Sequence, residues 1–103
     1  MKIAVATTDG VSVNEHFGKA TQFFIYEVTD KAFDLLVEKH VEPYSTGNKS
    51  HTFDAARFQE VAKWLKGCKM IFVTKIGDEP ASALRAMGIE PLVYEGEIKK
   101  IKI

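Results

Sequence analysis

A mixed α/β domain is the fold class this sequence predicts, on three observations. Short runs rich in β-branched and aromatic residues recur along the chain, separated by turn-forming residues. In the second half the hydrophobic period switches from that of a strand to about 3.6, the period of a helix. Glycine stands at the point where each helical pattern stops.

Lys2–Ala6 is short, apolar and β-rich, and Thr7-Thr8-Asp9-Gly10 breaks it. Such a run suits a strand buried on both faces. A polar stretch leads through Asn14-Glu15-His16-Phe17-Gly18 to Gln22–Thr29, which reads as strand. Asp30-Lys31 turns the chain, and Phe33–Val41 returns as the second arm of a hairpin. Glu42–His51 carries Pro43, Ser45, Thr46, Gly47, Asn48, Lys49 and Ser50, the strongest loop signal in the chain.

From Phe53 to Lys66 the spacing predicts a helix. Phe58, Val61, Ala62 and Leu65 fall at i, i+3, i+4 and i+7, with Asp54 as N-cap and Gly67 ending the helix in a left-handed conformation. Trp64 joins Phe53, Phe58 and Leu65 in what reads as a core cluster. Met70–Thr74 is a buried strand. Asp78-Glu79-Pro80 opens a second helix, with Asp78 as the capping residue, Glu79 favourable to the dipole and Pro80 in the first turn. Ala81, Leu84 and Met87 face the core and Gly88 stops the helix. Ile89–Tyr94 is a last core strand. Ile98–Ile103 reads as an edge strand guarded by Lys99, Lys100 and Lys102. The strand–helix–strand–helix–strand portion gives right-handed parallel crossovers, the hairpin extends the sheet antiparallel, and helices cover its faces.

Composition limits the function. The 103 residues suffice for one domain, residues 1–103. Lys and Arg total 14, as do Asp and Glu, so net charge offers no grip on nucleic acid or an anionic membrane. No run approaches the roughly 20 apolar residues of a membrane span. A cytoplasmic protein is expected. A single cysteine, Cys68, excludes an internal disulfide. It sits at the amino end of a strand, where a buried, inert thiol is the expectation.

In open α/β sheets, ligands bind beyond the carboxyl ends of the parallel strands. Two segments converge there, Thr7-Thr8-Asp9-Gly10 and Thr74-Lys75-Ile76-Gly77-Asp78. Thr8, Asp9, Lys75 and Gly77, with the N–H groups of the second helix start, could receive an anion. The plainer reading is two strand-to-helix turns; neither is a Walker loop or a dinucleotide fingerprint. His16 and His51 lie in polar loops, and each could give one ligand to a metal or cluster only partly held by protein. His40 closes a strand and reads as structural. No histidine stands at i+3 or i+4 from another or from Cys68, so no local metal motif exists. Asp9 with Asp54 could chelate Mg²⁺, but one is a turn residue and the other a cap. The serines show no nucleophile-elbow spacing.

Glu15-His16-Phe17-Gly18-Lys19-Ala20, followed by Phe23-Phe24-Ile25-Tyr26-Glu27-Val28, resembles the opening of the dinitrogenase iron–molybdenum cofactor biosynthesis family, the NifX-like group that also forms the end of NifB and appears in the nitrogenase accessory factor. Val73-Thr74-Lys75-Ile76-Gly77-Asp78-Glu79-Pro80, with Ala83-Leu84-Arg85-Ala86-Met87-Gly88-Ile89, resembles it too. The resemblance implies a ribonuclease-H-like mixed sheet without nuclease activity. It also implies a non-catalytic protein that carries an iron–sulfur or molybdenum-containing cluster as cargo, with a cofactor-assembly or acceptor protein as partner. His16 matches the motif histidine, and His51 lies where the family often has another; both are carried over as metal ligands. A competing class is a metal-free binding module for a small anionic or phosphorylated metabolite at the same loop ends.

Overall fold

Hydrophobic side chains alternate along the first strand, and the fold is built around that alternation. In the computed structural model, which describes residues 1–41 and 55–102, strand β1 (Lys2–Ala6) sends Ala4 and Ala6 to one side of a sheet and Ile3 and Val5 to the other. All four are buried, as an interior strand requires. Strands β2 (Ser12–Val13), β3 (Gln22–Val28) and β4 (Phe33–His40) follow, then helix α1 (Ala55–Leu65), β5 (Cys68–Val73), helix α2 (Asp78–Ala86), β6 (Glu90–Val93) and β7 (Gly96–Glu97). Five strands form one sheet in the order β4-β3-β1-β5-β6. β1 pairs parallel with β5, and β5 with β6, while the β3–β4 hairpin adds antiparallel to β1. The described residues thus form one α/β unit with a mixed sheet, as the sequence predicts.

Both helices pack on the same face, which corrects the expectation of helices on both. Phe58, Val61, Ala62 and Leu65 of α1 and Leu84 of α2 share a single cluster with Ala4, Ala6, Phe23, Ile25, Ile71 and Val73. The opposite cluster gathers Ile3, Val5, Phe24, Tyr26 and Phe72. Its cover is a two-stranded ribbon, β2 against β7, together with Ile98 and Ile101. That ribbon is absent from the sequence reading, because strands of two residues leave no periodicity to detect.

The predicted lysine-guarded edge strand at 98–103 is also corrected. Residues Ile98–Lys100 form a 3₁₀ turn. At three residues per turn, Ile98 and Ile101 fall on one side, and both are buried, while Lys99 and Lys100 stay in water. The Ile98 N–H donates to the Val11 carbonyl at 2.8 Å, fixing the turn against the ribbon.

Gly67 and Gly88 end the two helices at φ values of 91° and 81°, as predicted from their positions. The N-cap of α2 is Gly77, not Asp78, which becomes the first helical residue. Met87 caps the other end of α2 and is exposed rather than facing the core, one residue past the last full turn. Trp64 is 40% exposed rather than core. It lies off the stripe of Phe58, Val61, Ala62 and Leu65, and the Lys39 ammonium sits 3.7 Å from its ring centroid. Asp54, the predicted cap of α1, and the loop over 42–51 lie outside the described residues.

Candidate functional site

The carboxyl end of the parallel strands is where the sequence places a site, and the backbone there takes a particular form. β1 and β5 end level with each other, Ala6 standing one step past the Val5–Phe72 pair. Beyond that end the residues after β5 pair with a later segment of the same chain. The Thr74 N–H donates to the Glu15 carbonyl at 3.0 Å, and the Phe17 N–H donates to the Lys75 carbonyl at 2.8 Å. Between these bonds His16 and Lys75 pair as an isolated parallel bridge. Two residues 59 positions apart in the chain are therefore neighbours across a ladder, both with exposed side chains.

Phe17 fixes this segment from below. Its ring is buried against Phe23 and Phe58, with centroids 6.1 and 6.2 Å away. A 3₁₀ turn, Phe17–Lys19, follows, and His16 is its N-cap in extended conformation. The Phe-Gly-Lys stretch thus anchors on one residue and exposes the histidine before it.

The loop between β1 and β2 is organised by its own side chains. One oxygen of Asp9 accepts the N–H groups of Val11 and Ser12 at 2.8 and 2.9 Å, and the Thr7 hydroxyl at 3.2 Å. These backbone donors hold the Asp9 carboxyl below the usual carboxylate range. The buried Thr7 hydroxyl in turn accepts the Gly10 N–H at 2.9 Å. Thr8 is gripped twice by Asn14, which accepts its N–H at 2.9 Å and donates to its hydroxyl at 2.8 Å. Gln22 donates to the Thr7 carbonyl at 3.0 Å. Asn14 and Gln22 carry no chemical signature in the sequence, and their part in shaping this loop shows only in three dimensions.

Of the predicted site residues, His16 and Lys75 are brought side by side. Gly77 lies two residues beyond Lys75, at the start of α2. Thr8 and Asp9 stand at the end of β1, joined to the histidine segment through Asn14, whose N–H donates to the Ala6 carbonyl at 3.2 Å. His51 lies outside the described residues. His40 is exposed at the last position of β4. Cys68 opens β5 at the opposite end of the sheet, buried beside α1. Burial pushes its thiol up to about 11, so it stays protonated in the fold.

Chemically, the rim offers one imidazole, one ammonium and the start of a helix. Asp78 and Glu79 occupy the first turn of α2 and answer its positive pole with their own carboxylates. The exposed His16 and Lys75 side chains stand beside that start. Among the described residues no group of three or more His, Cys, Asp or Glu side chains converges to hold a metal ion.

A mixed α/β sheet that brings an exposed histidine into register with a lysine just beyond the ends of its parallel strands defines the class of fold. The family model for the dinitrogenase iron–molybdenum cofactor matches residues 1–102, and the chain belongs to that family. It is 36% identical over 89 residues to the FeMo cofactor biosynthesis protein NifB of Azotobacter vinelandii, covering 86% of this chain and 18% of that one. With NifB of Chlorobaculum tepidum it shares 34% identity over 99 residues, covering 95% of this chain and 22% of the other. The chain thus spans about a fifth of the length of these relatives. Among solved structures, that of PH0822 superposes with a TM-score of 0.72 at 18% identity, over 98% of this chain and 84% of that one, a likeness of fold.

Proposed function

We propose that this chain binds an iron–sulfur or iron–molybdenum cluster as cargo on the rim formed by His16 and Lys75, and passes it on without chemical turnover. The observation that supports this reading is the bridge between His16 and Lys75, which brings an imidazole, a candidate metal ligand, beside an ammonium at the carboxyl end of the parallel strands. Sulfide-rich clusters are commonly anionic. An imidazole can ligate iron or donate a hydrogen bond to sulfide, and an ammonium complements the charge. Thr8, Asp9 and Gly77 frame the same end, and His51 is the second candidate ligand. A site with few protein ligands releases its cargo more readily than a closed four-ligand cage.

Membership of a family named for the iron–molybdenum cofactor supports a cluster as the cargo. The NifB names of the relatives support a partner that assembles or accepts cofactor. A cytoplasmic setting agrees with the described helices, none of which is long and apolar enough to cross a membrane. The strand order, with β3 antiparallel to the other four strands, supports a ribonuclease-H-like fold.

The test is anaerobic reconstitution with iron, sulfide and molybdate, read as visible absorbance per folded molecule. The wild-type chain is expected to gain a band, His16→Ala to lose most of it, and His51→Ala to lose part. A thermal shift with nucleotides or phosphate, without cluster uptake, would instead identify a binder of small anionic metabolites.

A further inference from the structure

We propose that the outer edge of β4 docks a second copy of this chain, joining two five-stranded sheets into one continuous sheet about a two-fold axis. Among the described residues β4 is the last strand on its side of the sheet, and most of its side chains are exposed. Leu35, Leu36 and Val37 are 45%, 50% and 37% exposed in succession, where an edge strand ordinarily carries proline or charge.

The pairing of β4 with β3 fixes what its free edge offers. The Val41 N–H donates to the Thr21 carbonyl, and the Thr29 N–H to the Ala32 carbonyl. Hydrogen-bonded pairs alternate along an antiparallel ladder. Counting inward from both ends, residues 34, 37 and 39 turn their backbone groups toward β3, whereas 33, 35, 38 and 40 turn theirs outward. The register shifts between Ile25 and Tyr26, so residue 36 is an extra residue, a bulge, in β4.

That bulge makes the strand self-complementary. Without it, pairing Phe33 with His40 of a second copy would set side chains from opposite faces against each other. With it, Phe33, Leu35, Glu38 and His40 share one face: Phe33 and Leu35 sit opposite Val28 and Tyr26, and Glu38 and His40 opposite Phe24 and Gln22. In the antiparallel dimer, Phe33 meets His40 of the second copy and Leu35 meets Glu38, each pair through outward backbone groups. On the other face Asp34 meets Lys39, whose ammonium lies over the Trp64 ring of its own chain, and the symmetry repeats this opposite-charge pair on the far side of the axis. Leu36 and Val37 lie at the centre, against the same two residues of the second copy. Cross-strand pairs of opposite charge favour a register, and like charges oppose it. Eight residues a side make a small interface, so the dimer is weak and reversible.

The test is sedimentation velocity of the full chain from about 5 µM to about 1 mM, a span that resolves weak association through small interfaces. The wild-type chain is expected to shift from monomer to dimer. Asp34→Lys and Lys39→Glu each place like charges across the axis, and each is expected to weaken association about tenfold or more. An equimolar mixture of the two variants, and the double variant, restore opposite charges and should restore association. Circular dichroism checks that each variant folds. A wild-type chain that stays monomeric throughout, or single reversals that associate as well as it does, would overturn the proposal.

Discussion

Cys68 and His16 show how far single residues were legible. A lone cysteine between a helix-ending glycine and an apolar strand reads as buried, and it is. Its raised pKa has a thermodynamic consequence. In the unfolded chain the thiol ionises near its ordinary value of 9.0, whereas in the fold it holds its proton to about 11. Between those values the folded state binds the extra proton, so stability falls as pH rises, by about 1.4 kcal/mol per pH unit from this group. Denaturant midpoints for the wild type and Cys68→Ala are expected to converge by that slope between the two values. His16 and Lys75 were each legible as candidates, but their adjacency was not: nothing local in the sequence pairs one with the other. As an exposed residue, its replacement by alanine is expected to change stability by no more than about 0.5 kcal/mol. Any loss of cluster absorbance in that variant is then a loss of binding rather than of fold.

Elements were read well where periodicity is long and poorly where it is short. The stripe Phe58, Val61, Ala62 and Leu65 spans two turns and is buried throughout. The ribbon and the last 3₁₀ turn are too brief to leave a pattern, so Ile98 and Ile101 were assigned to a strand. Their burial gives a measurable outcome: Ile98→Ala is expected to cost about 2–4 kcal/mol in urea denaturation, against nearly nothing for an exposed edge residue. The turn after β1 can be tested in the same way. Gly10 has φ of 74°, and an added Cβ would stand 2.7 Å from the Phe24 ring. Gly67 has φ of 91° with open space around it. Gly67→Ala thus reports the left-handed backbone alone, costing about 1 kcal/mol. Gly10→Ala adds the clash and is expected to cost clearly more in the same assay.

For the whole molecule, the sequence conveyed the five strands of the main sheet and the hairpin, because each is a run of β-branched, aromatic or other apolar residues bounded by turn formers. It did not convey how the two faces are covered. Assigning both helices to one face depends on which side each connection crosses, and residue composition carries no trace of that choice. The candidate site was half legible for the same reason: the loops at the strand ends could be located, but not the segment that takes over from β1 beside residues 74 and 75. That replacement bears on how cargo would move. His16 is bracketed by two ladder bonds and followed by a ring wedged in the core. The backbone of residue 16, mounted this way, cannot swing outward unless Phe17 leaves its pocket, so only the exposed imidazole itself is free to turn about its side-chain bonds. On the proposed reading, a cluster held there would be surrendered by ligand exchange at a backbone that stays in place, the recipient bringing its own donor atoms to the histidine.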